Sequence, residues 1–298
     1  MKKILMINRL DSEFIIKDYK LLKTVFDVGL VSPPRMSSKE YTSWCVKNLI
    51  PTMAKAMKCD YIYSWWCTST FASVVGKLTG TKVILIAGGY DTVKDTMLMY
   101  GAFVNKKLGV LTKLNMKNAY KILCVGSKLI GNIKQIDKAL VDKCEIVPTG
   151  YNTFFWKNYN RTGRNFKTTI CINSGDVAKA KIRHLVKGID RFVNMARKDP
   201  DNGYLLIGYE IGLLQKLEKN VPNNVMVVGK FSRDQILQAL NKTKYYCQLS
   251  RHEGYPNAVC EALLCGCSIL YSDEVPEIDK HEIITPRLRL DMIKKVMI

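Results

Sequence analysis

The sequence is poor in acidic residues and histidine, and it has no long apolar run. Its 26 Asp and Glu stand against 46 Lys and Arg, which gives the 298-residue chain a formal net charge of +20. No stretch approaches the roughly 20 apolar residues of a membrane-spanning helix. The apolar run in the N-terminal MKKILMINRL is shorter than a signal peptide needs, so we expect a first β-strand there and a cytoplasmic location.

Several catalytic motifs are also absent. The chain has no G-x-S-x-G, H-E-x-x-H or P-loop pattern and no G-x-G-x-x-G. The ten cysteines are scattered, mostly in apolar runs, which is typical of small core residues in a reducing compartment. Cys265 and Cys267 have no second cluster or histidine nearby, so no metal site is predicted.

Short apolar runs alternate with segments of helical period, which predicts an α/β protein with parallel sheets. The predicted strands are 3–7, 83–87, 121–125, 145–148, 169–173, 204–208, 225–229, 245–249 and 268–272. The aperiodic segment 151–167 separates two such series, which predicts domains at 1–155 and 156–298. In folds of this kind ligands bind at the carboxyl ends of the strands, so we expect a cleft there.

The segment 249–266, LSRHEGYPNAVCEALLCG, reads as a strand, a polar loop and a helix that starts near Pro256. Unpaired N–H groups at such a helix start attract anions, and Gly254 permits close approach to the backbone. Glu253 and Glu261 are eight residues apart, about 12 Å at helical rise. That is roughly the span from a sugar through a diphosphate to a ribose, and carboxylates accept hydrogen bonds from hydroxyl pairs.

The run EGYPNAVCE (253–261) resembles the E-x7-E signature of retaining glycosyltransferase family 4. The similarity extends to NVMVVGKFSRDQILQALNKTKYYCQLS (224–250), GYLLIG (203–208) and VPTGYNTFFW (147–156). It implies the GT-B fold, in which two doubly wound Rossmann-like domains face each other across a cleft. The N-terminal domain would hold the acceptor and the C-terminal domain the nucleotide sugar.

The resemblance also implies roles for single residues. Glu261 would hold the ribose, Glu253 the donor sugar, and Lys187 the diphosphate. The family's arginine position is matched less directly, with Arg183 as the candidate and Lys179 or Lys181 as substitutes. Further donor contacts are expected from Gly254, Tyr255, Pro256, Asn257, His252 and, near the base, Phe231.

The loop AGGYD (87–91) resembles the family's cleft loop. Asp91 is carried over as a contact to sugar or acceptor, and Gly89 would permit close backbone approach. Many family members have a histidine where this chain has Gly88, so a histidine-mediated role is not expected here.

The function implied is that of a retaining, metal-independent hexosyltransferase that uses a nucleoside diphosphate sugar. GDP-mannose, hence a mannosyltransferase, is slightly favoured over UDP-glucose. The acceptor would be a glycan or a lipid-linked molecule. The chain is short for the family, and a C-terminal helix that returns to the first domain is expected to be missing or reduced. A homodimer is compatible with this compactness.

The basic charge leaves two alternatives open. One is a nucleic-acid-binding protein on a GT-B-like scaffold, although no nucleic-acid-binding motif accompanies the charge. The other is an enzyme that acts at a membrane surface, since the segment 104–121 interleaves lysines with apolar residues and contains no acidic residue.

Overall fold

The computed structural model describes residues 1–159, 163–164, 166–171 and 180–297. The chain divides into two compact units, of which the first comprises Met1–Thr149 with Pro286–Ile298 and the second Gly150–Thr285. Within the described residues, no helix is both long and apolar enough to cross a membrane.

The first unit is built on a parallel six-stranded sheet. Its strands are β1 (Lys3–Ile7), β2 (Asp27–Val31), β3 (Tyr61–Trp65), β4 (Lys82–Ala87), β5 (Lys121–Cys124) and β6 (Cys144–Ile146). Its helices are α1 (Glu13–Leu22), α2 (Ser38–Ala56), α3 (Thr70–Thr79), α4 (Lys106–Asn118) and α5 (Lys128–Ile136), with α11 (Pro286–Val296) from the C-terminus. The strand order is β2-β1-β3-β4-β5-β6, so the winding reverses between β1 and β3.

The second unit contains a parallel five-stranded sheet. Its strands are β7 (Phe166–Cys171), β8 (Tyr204–Ile207), β9 (Val225–Val228), β10 (Thr243–Gln248) and β11 (Ser268–Tyr271). Its helices are α6 (Ala180–Val186), α7 (Ile189–Arg197), α8 (Ile211–Leu217), α9 (Arg233–Asn241) and α10 (Asn257–Leu264). The strand order β11-β10-β7-β8-β9 reverses between β7 and β10. The predicted α/β class with parallel sheets is therefore confirmed.

The central strands are largely buried, because helices cover both faces of each parallel sheet. Every residue of β3 and β8 is buried. Cys265 and Cys267 lie in the core of the second unit beside Trp156. Burial raises the pKa of Cys265 to about 12 and that of Cys267 to about 11, so both stay protonated thiols near neutral pH.

A C-terminal helix that returns to the first unit is present, so the expectation that it would be missing is wrong. Helix α11 belongs to the first unit, where Arg289 pairs with Asp18 of α1 through two hydrogen bonds of 2.7 Å. Both side chains are almost fully buried, at 2% and 3% exposure. Tyr63 and Trp65 also donate to Asp18, at 2.7 and 2.9 Å. The carboxylate and guanidinium satisfy each other, so they can be buried together.

Candidate active site

The predicted site of the second unit lies where its strand order reverses. The carboxyl ends of β7 and β10 flank this point, which is where open α/β sheets bind ligands. The segment after β10 contains Glu253 and leads into α10. Residues 172–179, which follow β7 and include the substitute candidate Lys179, lie outside the described residues.

Three donors converge on one carboxylate oxygen of Glu253. Its Oε2 accepts hydrogen bonds from Lys187 Nζ at 2.7 Å, Gln248 Nε2 at 2.9 Å and Ser250 Oγ at 3.2 Å. The Glu253 side chain is 13% exposed and that of Lys187 is 31% exposed. The structure thus brings together two residues that were predicted to contact the donor.

A close backbone approach places Lys187 beside the loop after β10. Gly188 has φ +69°, and a Cβ on it would lie 2.0 Å from the carbonyl oxygen of Leu249. Only glycine fits this position, because any side chain would collide with that carbonyl. Arg251 N–H also donates to the carbonyl of Val186 at 2.8 Å. The turn between α6 and α7 is therefore fixed against the loop that contains Glu253.

Two ion pairs between an arginine and a carboxylate stabilise the contact of the α6–α7 turn with the loop after β10. Arg251 binds Asp190 with hydrogen bonds of 2.8 and 2.6 Å, and Arg191 binds Glu274 with bonds of 3.0 and 2.7 Å. The Arg191 pair lowers the pKa of Glu274 to about 2. Sequence reasoning missed all four residues. The two partners in each pair are 60 or more positions apart, so no local sequence pattern indicates that they interact.

Arg183 and Lys181 lie on α6, just before Lys187. The backbone N–H of Lys187 donates to the carbonyl of Arg183 at 2.9 Å. The two residues are therefore one helical turn apart and lie on the same face of the helix. Arg183 is partly buried and Lys181 is exposed. Arg183 is therefore the candidate that lies on the same helical face as Lys187.

Buried His184 anchors the same helix. Its Nδ1 lies 3.1 Å from the hydroxyl of Tyr209, and its Nε2 lies 2.7 Å from Glu218 Oε1. Both ring nitrogens have protein partners, so His184 holds α6 against the segment that contains α8. Sequence analysis did not single out this histidine.

The helix with Glu261 begins within one residue of its predicted start. Pro256 is the residue before α10, and the helix itself starts at Asn257. Helical rise therefore applies only from Asn257 onward, and the predicted separation of about 12 Å between Glu253 and Glu261 does not follow. Glu261 is partly buried in the second turn of this helix.

The remaining predicted donor contacts occupy varied environments. Gly254 and Pro256 are buried, whereas Asn257 is exposed at the helix start and accepts a hydrogen bond from the hydroxyl of Tyr151. Tyr255 packs against the core, and His252 is partly buried in the loop. Phe231 follows β9 and packs against Leu205, Ile207 and Ala239.

In the first unit, Asp91 organises its own loop. Its side chain is fully buried, and its carboxylate accepts N–H groups of Gly88 at 3.1 Å, Gly89 at 2.9 Å and Cys67 at 2.8 Å. Burial raises the pKa of Asp91. The carboxylate has no exposed surface in this arrangement, so it holds the loop in shape rather than presenting an oxygen to a ligand. Gly89 has φ +131°, which only glycine adopts readily.

Trp66 occupies the space beside Gly88. A Cβ on Gly88 would lie 2.4 Å from the Trp66 ring, so residue 88 must be glycine while the ring stays there. Trp66 itself has φ +77°, a left-handed conformation that costs a bulky residue about 1–2 kcal/mol. No local sequence signal identified this tryptophan.

The geometry of the second unit suits a ligand that contains both hydroxyl and phosphate groups. Glu253 can accept hydroxyl hydrogens, while Lys187 and the N–H groups at the start of α10 favour an anion. Among the residues that the structure describes, no group of three or more His, Cys, Asp or Glu side chains could hold a metal ion.

Comparison with known proteins agrees with this geometry. Residues 176–281 match the family model described as glycosyl transferases group 1. No curated protein sequence matches the chain. The resemblance to glycosyltransferases seen in residues 253–261 is confirmed by the family match, which includes all of them.

Solved structures show the fold. Sucrose-phosphate synthase from Thermosynechococcus elongatus superposes with a TM-score of 0.70 at 12% identity, over 100% of this chain and 90% of that one. Anabaena HepE in complex with UDP and glucose gives 0.62 at 14% identity, over 92% and 81%. The lipopolysaccharide outer core galactosyltransferase WaaB gives 0.61 at 13% identity, over 99% and 90%. The chain has the GT-B fold, and residues 176–281 of its second unit match the glycosyl transferases group 1 model.

Proposed function

We propose that this protein transfers a hexosyl group from a nucleoside diphosphate sugar to an acceptor hydroxyl with retention of anomeric configuration. One observation carries the proposal: Lys187 and Glu253 meet at 2.7 Å where the strand order of the second unit reverses, inside the segment that matches glycosyl transferases group 1. A cation and a carboxylate at that point suit a diphosphate joined to a sugar.

The chemical step breaks the bond between the anomeric carbon and the diphosphate oxygen. Its transition state resembles an oxocarbenium ion, with negative charge gathering on the departing diphosphate. Lys187, Arg183 and the N–H groups at the start of α10 would stabilise that charge. Glu253 would hold hydroxyls of the donor sugar and Glu261 the ribose. The acceptor hydroxyl would attack from the face that the diphosphate leaves and give its proton to an oxygen of the departing diphosphate, which retains the configuration.

The donor is best identified by titration. GDP-mannose and UDP-glucose are the two leading candidates, and HepE, which shares the fold, was crystallised with UDP and glucose. Calorimetry against a panel of UDP, GDP and ADP sugars should show one donor binding. Glu261→Ala should weaken that binding about tenfold or more, as expected when a hydrogen-bonded carboxylate is removed. Exposed Glu277→Ala serves as the matched control.

Two results would contradict this proposal. The first is a panel in which no sugar nucleotide binds. The second is a product whose anomeric centre is inverted, which nuclear magnetic resonance of the freshly formed glycoside would reveal.

A second candidate places the same transfer at an anionic membrane surface, with a lipid-linked acceptor. Helices α2, α3 and α4 pack side by side in the first unit. Together they contain a single acid, Glu40, and eight lysines, which are Lys39, Lys47, Lys55, Lys77, Lys106, Lys107, Lys113 and Lys117. Large apolar side chains are exposed on all three, namely Val46, Ile50, Val74, Leu78, Val110, Leu111 and Leu114. Basic and apolar groups mixed in this way suit anionic lipid.

Vesicle flotation tests this candidate. We expect the protein to float with vesicles of phosphatidylcholine and phosphatidylglycerol, but not with phosphatidylcholine alone. Leu114→Glu should reduce flotation, because it removes an apolar side chain and adds a negative charge. Ile211→Glu in the second unit is the matched control, since Leu114 is 48% and Ile211 49% exposed. Equal reduction in both variants, or no flotation at all, would reject the membrane surface.

A further inference from the structure

We propose that Trp66 is a stacking platform for a pyranose ring of the acceptor, and that it sets which acceptors the first unit takes. This inference rests on the proposed glycosyl transfer for the identity of its ligand. It concerns the first unit alone and uses none of the donor-site residues.

Trp66 lies at the ligand-binding edge of its sheet. It follows the last residue of β3, and the strand order of the first unit reverses between β1 and β3. The carboxyl ends of these two strands therefore flank the place where an open α/β sheet binds its ligand. Phe14, in the first turn of the helix after β1, meets the Trp66 ring edge-on with centroids 5.7 Å apart. Aromatic groups from both sides of the reversal thus come together.

The Trp66 indole is held in a specific position by an unusual backbone conformation and by the absence of a side chain at Gly88. Trp66 adopts φ +77°, and its backbone N–H donates to the carbonyl of Ile86 at 2.9 Å. Gly88 leaves room for the ring, since a Cβ there would come within 2.4 Å of it. Strained conformations of bulky residues persist where the surrounding structure enforces them, and they cluster at functional sites.

The Trp66 side chain also keeps a polar group available. It is only partly buried, and its indole N–H has no acceptor among the residues that the structure describes. Its neighbour Trp65 differs, because that side chain is buried and donates its own N–H to Asp18 at 2.9 Å. A partly exposed indole whose N–H has no acceptor among the described residues suits a pyranose, whose C–H face is apolar and whose rim consists of hydroxyl acceptors.

Three variants separate the platform from general folding effects. Trp66→Ala removes the ring, and Gly88→Ala leaves the ring in the chain but forces it to move. Trp44→Phe changes another partly buried tryptophan, on α2, and is the control. The probes are methyl α-D-glucopyranoside, methyl α-D-mannopyranoside and methyl β-D-galactopyranoside, with binding measured by saturation-transfer nuclear magnetic resonance. Affinity for UDP and GDP is measured separately by calorimetry.

We expect at least one glycoside to bind the native protein. Trp66→Ala should weaken that binding about tenfold, in line with the removal of an aromatic ring. Gly88→Ala should act in the same direction and Trp44→Phe should have no effect. Nucleotide affinity should stay within about twofold in all three variants.

The outcomes distinguish this inference from the proposed function. Failure of every glycoside to bind, or unchanged glycoside affinity in both Trp66→Ala and Gly88→Ala, overturns the platform. Equal decreases in glycoside and nucleotide affinity also overturn it, because they indicate a general structural effect. Glycoside binding through Trp66 in a protein that binds no nucleotide would keep the platform and remove the proposed transfer.

Discussion

The contact between Lys187 and Glu253 leads to opposite predictions for its two members. Lys187 Nζ donates to Glu253 Oε2 at 2.7 Å. Lys187→Met removes a cation that a diphosphate would use and leaves the Glu253 carboxylate to repel it. Glu253→Gln removes that carboxylate's charge and leaves the lysine free to bind phosphate.

The magnitudes follow from the kind of interaction that each substitution removes. A hydrogen bond to a charged group contributes about 1.5–3 kcal/mol. Lys187→Met should therefore weaken UDP or GDP binding roughly 10- to 100-fold. Glu253→Gln should leave the affinity for the free nucleoside diphosphate unchanged or slightly higher. It should nevertheless lower sugar transfer about 100-fold, as expected when a preorganised group at the reacting sugar is removed.

Calorimetry with UDP and GDP, followed by turnover of the donor that binds, measures both effects. Exposed Lys216→Met in α8 serves as a charge-matched control and should bind like the native protein. Nucleotide affinity that stays close to native in Lys187→Met would refute the assigned role of this lysine. Equal weakening of the free diphosphate and the sugar nucleotide in Glu253→Gln would refute the assignment of Glu253 to the sugar.

Three further predictions concern stability. Asp18→Asn should lower the free energy of unfolding by about 3–5 kcal/mol in urea titration, because it leaves Arg289 buried without its counter-charge. Adding Arg289→Met should restore part of the lost stability. If the two substitutions destabilise additively, the proposed pairing of Asp18 with Arg289 is wrong. Trp66→Gly should be more stable than Trp66→Ala by about 1 kcal/mol in thermal unfolding, since glycine adopts φ +77° without strain; equal stability would contradict that strain. The pKa of Glu274 is lowered from 4.5 to about 2 by Arg191, so its contribution is fully present above pH 4.5 and is lost as the pH falls towards 2. Glu274→Gln should therefore flatten the acid side of the stability profile, and an unchanged profile would contradict this contribution.

Several elements of the fold were readable from local patterns. The apolar runs that predicted strands at 204–208 and 225–229 correspond to β8 and β9. Strands β2 and β3 were missed. The sequence of β2, DVGLV, contains glycine and an acid at an edge of the sheet, and β3, YIYSW, mixes aromatic rings with hydroxyl groups. Burial of those polar groups depends on partners such as Asp18, which no short window reveals.

The C-terminal helix illustrates a second limit. The basic and amphipathic character of the segment PRLRLDMIKKV was visible in the local sequence. Its position was not, because the contact that fixes it joins Arg289 to Asp18 across 271 positions. Sequence patterns report periodicity within an element, whereas docking depends on which distant charge can be buried with it.

The sequence by itself determined the alternating α/β organisation and the resemblance of residues 253–261 to glycosyltransferases, because both depend on local spacing and residue type. Only the tertiary structure decided that Lys187 contacts Glu253 and that Trp66 fills the space beside Gly88. It also decided that the Asp91 carboxylate accepts hydrogen bonds from the backbone of its own loop. These outcomes depend on backbone conformation and on contacts between distant positions. Such contacts form only when each sheet brings the carboxyl ends of its own strands together.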